Sequence, residues 1–255
     1  MISLEKHIES FDPISLNEMD SVALMNRVDT KYLVPNSVGE EFLQSIQEDY
    51  SVLTIDGKRL FPYQTVYFDT PEKLMLHEHL RGKLNREKVR SREYVGTDTR
   101  FLEVKFKTNK GRTVKTRIRK SGDLSLIEDS EHSFLSKESA FSGANLDAVL
   151  TVMFNRVTLV SKARKERITL DFGLTFRSED GTKTIDNLMI VEMKRDSQHT
   201  LDSIAAQNLK ELSAHPSSLS KYCIGMVLLN ETGKYNRYKP KLLQLNKITN
   251  HGNIW

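Results

Sequence analysis

Between Lys88 and Arg119 the chain repeats one pattern three times. Lys88–Tyr94, Phe101–Lys107 and Thr113–Arg119 each alternate in polarity, and Gly96-Thr97-Asp98 and Asn109-Lys110-Gly111 separate them. Alternation sends successive side chains to opposite faces of a strand, and short Gly- and Asn-bearing separators suit hairpins. The spacing therefore predicts an antiparallel meander. In its middle strand Leu102, Val104 and Phe106 point one way, and Glu103, Lys105 and Lys107 the other. The polar faces hold Lys88, Arg90, Arg92, Tyr94, Phe101, Glu103, Lys105, Lys107, Thr113, Lys115, Arg117 and Arg119, of which eight are basic and one acidic. Like charges on adjacent strands repel, by roughly 4 kcal/mol per contact at about 4 Å and an effective dielectric of about 20, before solvent screening. An ordinary solvated face mixes signs. A face this one-sided is expected to meet a polyanion.

Other runs supply similar pieces. Lys31 shares a strand face with Arg27 and Asp29, and Arg167 shares one with Thr169 and Asp171; Glu192 and Lys194 alternate with Val191 and Met193. Phosphate is the natural ligand, because Arg binds its oxygens bidentately and Lys supplies a point charge. Glu103 and Glu192 are candidate ligands for a divalent cation bridging phosphate oxygens; the alternative for each is an internal salt bridge. The sequence has no phosphate-loop or dinucleotide fingerprint. His77 and His79, two apart on an expected helix, do not face one another. Ser220-Lys221 lacks a supporting nucleophile–base constellation. Tyr67, Phe68, Phe101 and Phe106 read as core. The net charge of +4, from 38 basic and 34 acidic residues, is too small to indicate nucleic acid, and no nucleic-acid motif accompanies it.

The remaining pattern is mixed. Helices are expected over 15–26, from Asn36 to about Asp49, over 72–80 and over 200–214, and strands over 27–34, 65–69, 150–159, 166–172 and 188–194, with a turn at Asp180-Gly181. Residues 121–148 read as a partly helical insertion or lid, Ser220–Leu229 as a short apolar segment, and the tail as helical from Lys241. At 255 residues, 38% hydrophobic and 28% charged, one soluble α+β domain is the economical reading. No apolar run reaches the roughly 18 residues of a bilayer span, and the charged N-terminus is not a signal peptide. A single cysteine, Cys223, excludes an internal disulfide framework or a cysteine-based zinc site and reads as a small buried hydrophobe. A cytoplasmic protein is expected.

Eight fragments in order carry a family resemblance: Arg27-Val28-Asp29-Thr30-Lys31-Tyr32; Tyr67-Phe68-Asp69-Thr70; Lys88-Val89-Arg90-Ser91-Arg92-Glu93-Tyr94; Phe101-Leu102-Glu103-Val104-Lys105; Asn155-Arg156; Arg167-Ile168-Thr169-Leu170-Asp171; Val191-Glu192-Met193-Lys194; and Ser220-Lys221-Tyr222. Over roughly residues 15–230 the chain resembles the VTC-type polyphosphate polymerase domain of the vacuolar transporter chaperone complex and its bacterial relatives. That domain belongs to the CYTH, or triphosphate tunnel metalloenzyme, superfamily. The resemblance implies an eight-stranded antiparallel tunnel barrel, polar inside and apolar beneath outer helices.

It also implies that Lys31, Arg90, Arg92, Lys105, Arg156, Arg167, Ser220 and Lys221 bind phosphate, and that Glu192 binds Mn²⁺ or Mg²⁺. Lys115, Arg117 and Lys194 join as substrate-binding candidates, and Glu103 as a second metal candidate, from the alternation alone. The implied reaction moves the ATP γ-phosphoryl group onto polyphosphate or pyrophosphate and releases ADP. A triphosphatase and a non-catalytic polyphosphate- or inositol-phosphate-binding module are the alternatives. A membrane-protein partner chain is compatible with the family. One departure stands out: the eukaryotic pattern has a basic residue just before the Ser-Lys pair, where this chain has Ser217, Ser218 and Leu219.

Overall fold

The alternating runs become strands of one long, mainly antiparallel sheet. The computed structural model describes residues 2–21, 27–97, 99–141, 144–196, 203–229 and 236–250. In chain order these form α1 (Ile2–Glu9), β1 (Asp12–Ile14), α2 (Leu16–Ser21), β2 (Arg27–Val34), α3 (Asn36–Ser45), a 3₁₀ turn (Gln47–Asp49), β3 (Tyr50–Leu53), β4 (Phe61–Asp69), α4 (Leu74–Arg81), β5 (Arg86–Tyr94), β6 (Thr99–Lys107) and β7 (Thr113–Arg119). There follow α5 (Asp129–Glu138), β8 (Asp147–Ser161), β9 (Glu166–Ser178), β10 (Gly181–Asp196), α6 (Ile204–Glu211), β11 (Pro216–Ser217), α7 (Lys221–Leu228) and α8 (Lys239–Thr249). Among the described residues, no helix is long and apolar enough to cross a membrane.

The hydrogen-bonded order is β11-β2-β10-β9-β8-β4-β5-β6-β7, with β3 pairing β8 and carrying β1 in parallel. The expected eight-stranded closed barrel is therefore corrected. The sheet has eleven strands, and its path ends at β7 and β11 without a closing ladder among the described residues. The two-residue β11 occupies the edge of β2 that a closing strand would need, which leaves the outer edge of β7 open.

Two helical layers cover the outer face. Phe42, Leu43 and Ile46 from α3 and its C-terminus, with Ala205 and Leu209 of α6, pack on Tyr32, Val157, Leu170 and Val191. On the other half, Leu124 and Leu135 pack on Val66, Val89, Leu102 and Val104. Leu124 and α5, within the 121–148 segment read as an insertion or lid, thus lie against the face opposite Glu103 and Lys105.

The inner face departs from the wholly polar interior that was expected. At one end Leu33, Tyr67, Leu150, Val152, Phe154, Leu174, Phe176 and Ile190 form an apolar cluster with α7 and α8. Every residue of α7 from Tyr222 to Leu228 is buried there. The close approach requires Gly225, since a Cβ at that position would stand 2.5 Å from Phe176 and 2.7 Å from Leu150. A phase change supplies the apolar side chains. Phe172 packs with the outer cluster, whereas Leu174 packs with the inner one. Gly173, at φ 64°, and the irregular pairing between Met153 and Asn155 switch faces, as bulges do. A second irregularity lies between Ile185 and Met189.

Local signals place the helices. Ser15 and Glu18 form reciprocal backbone contacts of 2.9 and 3.3 Å at the start of α2, a capping box; residues 22–26 of the expected helix lie outside the described residues. Ser203 Oγ accepts from Ala206 N at 3.1 Å to cap α6, and residues 200–202 are likewise outside. The expected tail helix is present and begins at Lys239. α1, β1 and β3 were not anticipated.

Candidate functional site

Three buried or half-buried carboxylates organise the charged part of the inner face. Register places Arg90 opposite Glu103. Arg90 Nε and Nη2 donate to Glu103 Oε2 at 2.8 and 2.6 Å, and Lys115 Nζ donates to Oε1 at 3.1 Å. The Glu103 side chain is 1% exposed. Burial pushes its carboxyl up, but Arg90, Arg92 and Lys115 outweigh burial and hold it well below the usual carboxylate range.

Asp171 is the second centre. Opposite it, Arg156 donates from Nε and Nη2 at 2.6 and 2.8 Å, and Lys221 Nζ adds a contact at 2.5 Å. Lys221 opens α7, whose N-cap Ser220 accepts from Cys223 N at 3.2 Å and from Lys88 Nζ at 2.9 Å. The apolar body of α7 thus anchors a polar tip against the charged face. Glu192 is the third centre: it pairs with Lys31 of β2 and stands 3.8 Å from Lys194. Burial raises its carboxyl, but Lys194 and Lys31 hold it well below the usual range.

The cations outnumber these carboxylates, and burial together with this crowding lowers several of them. Lys105 is held well below the ordinary lysine value, first by Arg90, then by burial and Arg92. Burial lowers Lys194 to about 8, and burial with Arg90 lowers Arg92 to about 10. Lys88 and Lys221 are lowered mainly by burial. An anion entering here would favour the charged form of each of these groups. Aromatic rings border the face: Tyr63 stacks on Phe154 at 5.2 Å, while the guanidinium carbons of Arg156 and Arg92 lie 5.0 and 5.5 Å from the Tyr63 ring.

The structure gathers Lys31, Arg90, Arg92, Lys105, Arg156, Lys194, Ser220, Lys221, Glu103 and Glu192 on this face. Lys115 joins through Glu103, while Arg117 covers the Phe101 ring at 4.2 Å on the more exposed β7. Phe101, expected as core, therefore belongs to the charged side. Arg167, opposite Lys194, donates Nη2 to the Met19 carbonyl at 3.0 Å, next to α2. Lys88 and Asp171 were visible in the alternating faces but were not singled out as site residues. Tyr63 had no polar signal to mark it. His79 is a structural histidine, with Nε2 3.0 Å from the Glu87 carbonyl and Nδ1 accepting from Arg86 Nε at 2.9 Å; burial holds it down to about 3.

Among the described residues, no group of three or more His, Cys, Asp or Glu side chains forms a metal cage. Glu103, Asp171 and Glu192 are each engaged by two cations, and Glu103 and Asp171 are the more deeply buried, with side chains 1% and 3% exposed. The Glu192 side chain is 17% exposed, and Lys194 and Lys31 favour its charged form; the donor chemistry fits a hard divalent cation that takes this one carboxylate in place of a lysine and its other ligands from phosphate oxygens and water.

Comparison with one solved structure agrees with this architecture. HpAC1 from Hippeastrum, a candidate adenylyl cyclase described by a dominant triphosphatase activity, superposes with a TM-score of 0.52 at 14% identity, covering 80% of this chain and 96% of that one. The PH1819 protein of Pyrococcus horikoshii OT3 aligns at a TM-score of 0.44 and 14% identity, over 80% of this chain and 98% of that one. No curated protein sequence matches significantly. The model of the VTC domain family matches residues 26–230, a span that contains the meander, all three carboxylate centres and α7; the chain belongs to the VTC domain family.

Proposed function

We propose that this protein is a divalent-metal-dependent phosphotransferase that moves the γ-phosphoryl group of ATP onto polyphosphate. One observation carries the reading: Lys31, Lys88, Arg90, Arg92, Lys105, Lys115, Arg156, Lys194 and Lys221 share a concave face on which, among the described residues, Glu103, Asp171, Glu192 and Asp29 are the acidic partners. That surplus suits a linear chain of phosphates.

Phosphoryl transfer needs little covalent help from the protein; positioning and charge stabilisation dominate. In the proposed reaction a terminal oxygen of polyphosphate attacks the γ-phosphorus in line. The bond from that phosphorus to the β,γ-bridging oxygen breaks, and the electron pair leaves on ADP. The attacking oxygen is already anionic, so no side-chain base is required. Arg90, Arg92, Lys105 and Arg156 hold the non-bridging oxygens, Lys221 and Ser220 hold an end of the chain, and Lys31 and Lys194 flank Glu192. A Mn²⁺ or Mg²⁺ ion, when bound at Glu192, supplies neutralisation of the phosphate charge. Glu103 orients Arg90 and Lys115.

Hydrolysis of tripolyphosphate or a nucleoside triphosphate is the second reading, favoured by the open edge of β7, which admits water to the face. Incubation with ATP, pyrophosphate primer and Mn²⁺ or Mg²⁺, followed by phosphorus NMR and gel analysis, separates the two. Transfer yields ADP and polymer; orthophosphate without polymer establishes the hydrolase instead. Glu192→Gln should lower metal-dependent turnover by at least about tenfold, the scale of one lost transition-state contact, while retaining anion binding. Salt-sensitive binding without turnover under every metal would leave only a binding module.

A further inference from the structure

Beyond the family-matched span, α8 brings one more ammonium to the site. Leu242 and Leu245 are fully buried in the apolar end of the inner face, which fixes this helix against the sheet. Lys241, beside Leu242, directs Nζ to Ser217 Oγ and Gln244 Oε1, both at 2.8 Å. Ser217 lies on β11 directly opposite Lys31 of β2. Residues opposed in an antiparallel pair share a face, with Cβ atoms about 4.5–5.5 Å apart. Ser217 is therefore on the same face as Lys31, and the Lys241 ammonium extends the cationic row by one further strand.

The neighbourhood of Lys241 is polar but neutral. Its hydrogen-bond partners are a hydroxyl and an amide, and no carboxylate pairs with it among the described residues. By contrast, Lys31, one strand inward, is matched by Glu192. A half-buried ammonium held by neutral groups retains its full attraction for an arriving anion, and the hydroxyl of Ser217 and the amide of Gln244 can donate to phosphate oxygens beside it.

We propose that Lys241, Ser217 and Gln244 form an outlying phosphate subsite that selects for polyphosphate chains longer than those the central face can hold. The subsite rests on the polyphosphate reading above and refines its substrate class. A short chain is satisfied by the carboxylate-centred cations; a longer one continues past Lys31 onto Lys241.

The test measures binding of tripolyphosphate and of a polyphosphate of several tens of units, by calorimetry, to the full chain and to Lys241→Ala and Lys241→Arg. Lys241→Ala should weaken the long chain by about 5–10-fold, the scale of one charge-assisted contact at a half-buried site, and leave tripolyphosphate within about twofold. Lys241→Arg should restore long-chain affinity, and all three proteins should melt together. Equal weakening for both ligands, or none for the long chain, overturns the subsite while leaving the central reading intact. If the unmodified protein binds neither phosphate chain, both fall.

Discussion

Replacing Glu103 by Gln tests whether the charged face is balanced for a missing anion. The substitution keeps shape and removes charge from a side chain 1% exposed, facing an Arg90 side chain that is 6% exposed. Breaking a buried ion pair from one side typically costs about 3–5 kcal/mol. The Lys115 bridge adds little, because that lysine side chain is 39% exposed and such pairs are worth about 0–1 kcal/mol. The Gln carbonyl can still accept from Arg90, so the lower end applies, about 3 kcal/mol, or a melting shift of roughly 6–12 °C for a protein of this size. A bound phosphate chain would replace the lost negative charge. At 100 times its dissociation constant a ligand adds about 2.7 kcal/mol, and Glu103→Gln should gain more than the unmodified protein. Urea denaturation with and without tripolyphosphate reads both quantities. The gap should shrink by at least about 1 kcal/mol, most of one order of magnitude in relative affinity. A gap unchanged by ligand, or an initial loss under about 1 kcal/mol, would refute the reasoning.

Three further predictions concern protons and packing. Lys194, lowered to about 8 by burial, destabilises the fold fully while charged. Its contribution to stability therefore rises as pH climbs from about 8 toward the unfolded value of 10.5, and Lys194→Met should flatten that rise in pH-dependent melts. A bound polyanion raises the lowered lysines, so tripolyphosphate binding near pH 8–9 should take up protons, seen as a dependence of calorimetric heat on buffer ionisation; no such dependence would contradict the assigned environments. Gly225→Ala would press a Cβ onto Phe176 and Leu150 and should cost about 1–3 kcal/mol in urea denaturation.

The charged half of the face was legible because its chemistry is periodic. β2 and β7 have the limits read from alternation, and the cations of β5 and β6 face inward together as their spacing implies. Legibility failed where period two broke. The 166–172 strand reading stopped at Gly173, where the phase flips, although β9 continues to Ser178. Leu150, Val152 and Phe154 looked like any outward-packing strand, because alternation distinguishes two faces without saying which is concave. Only the seating of α7 against them does that. The open edge was equally hidden: nothing in Pro216-Ser217 announces a two-residue strand on the edge of β2. Lys241 gave no signal either, since its relation to Lys31 runs through tertiary placement of α8 rather than through any local spacing.

On the polymerase reading proposed above, the helix that fills one end of the concave face sets the direction of traffic. With Tyr222 to Leu228 seated against the sheet, that end of the face is blocked. A polymer cannot be drawn in at one end and delivered at the other. Each added unit would have to push its predecessors away from α7 or sideways between β7 and β11. Growth on such a face would be extrusion, and the length of product would be governed by how firmly the exit route holds the outgoing chain.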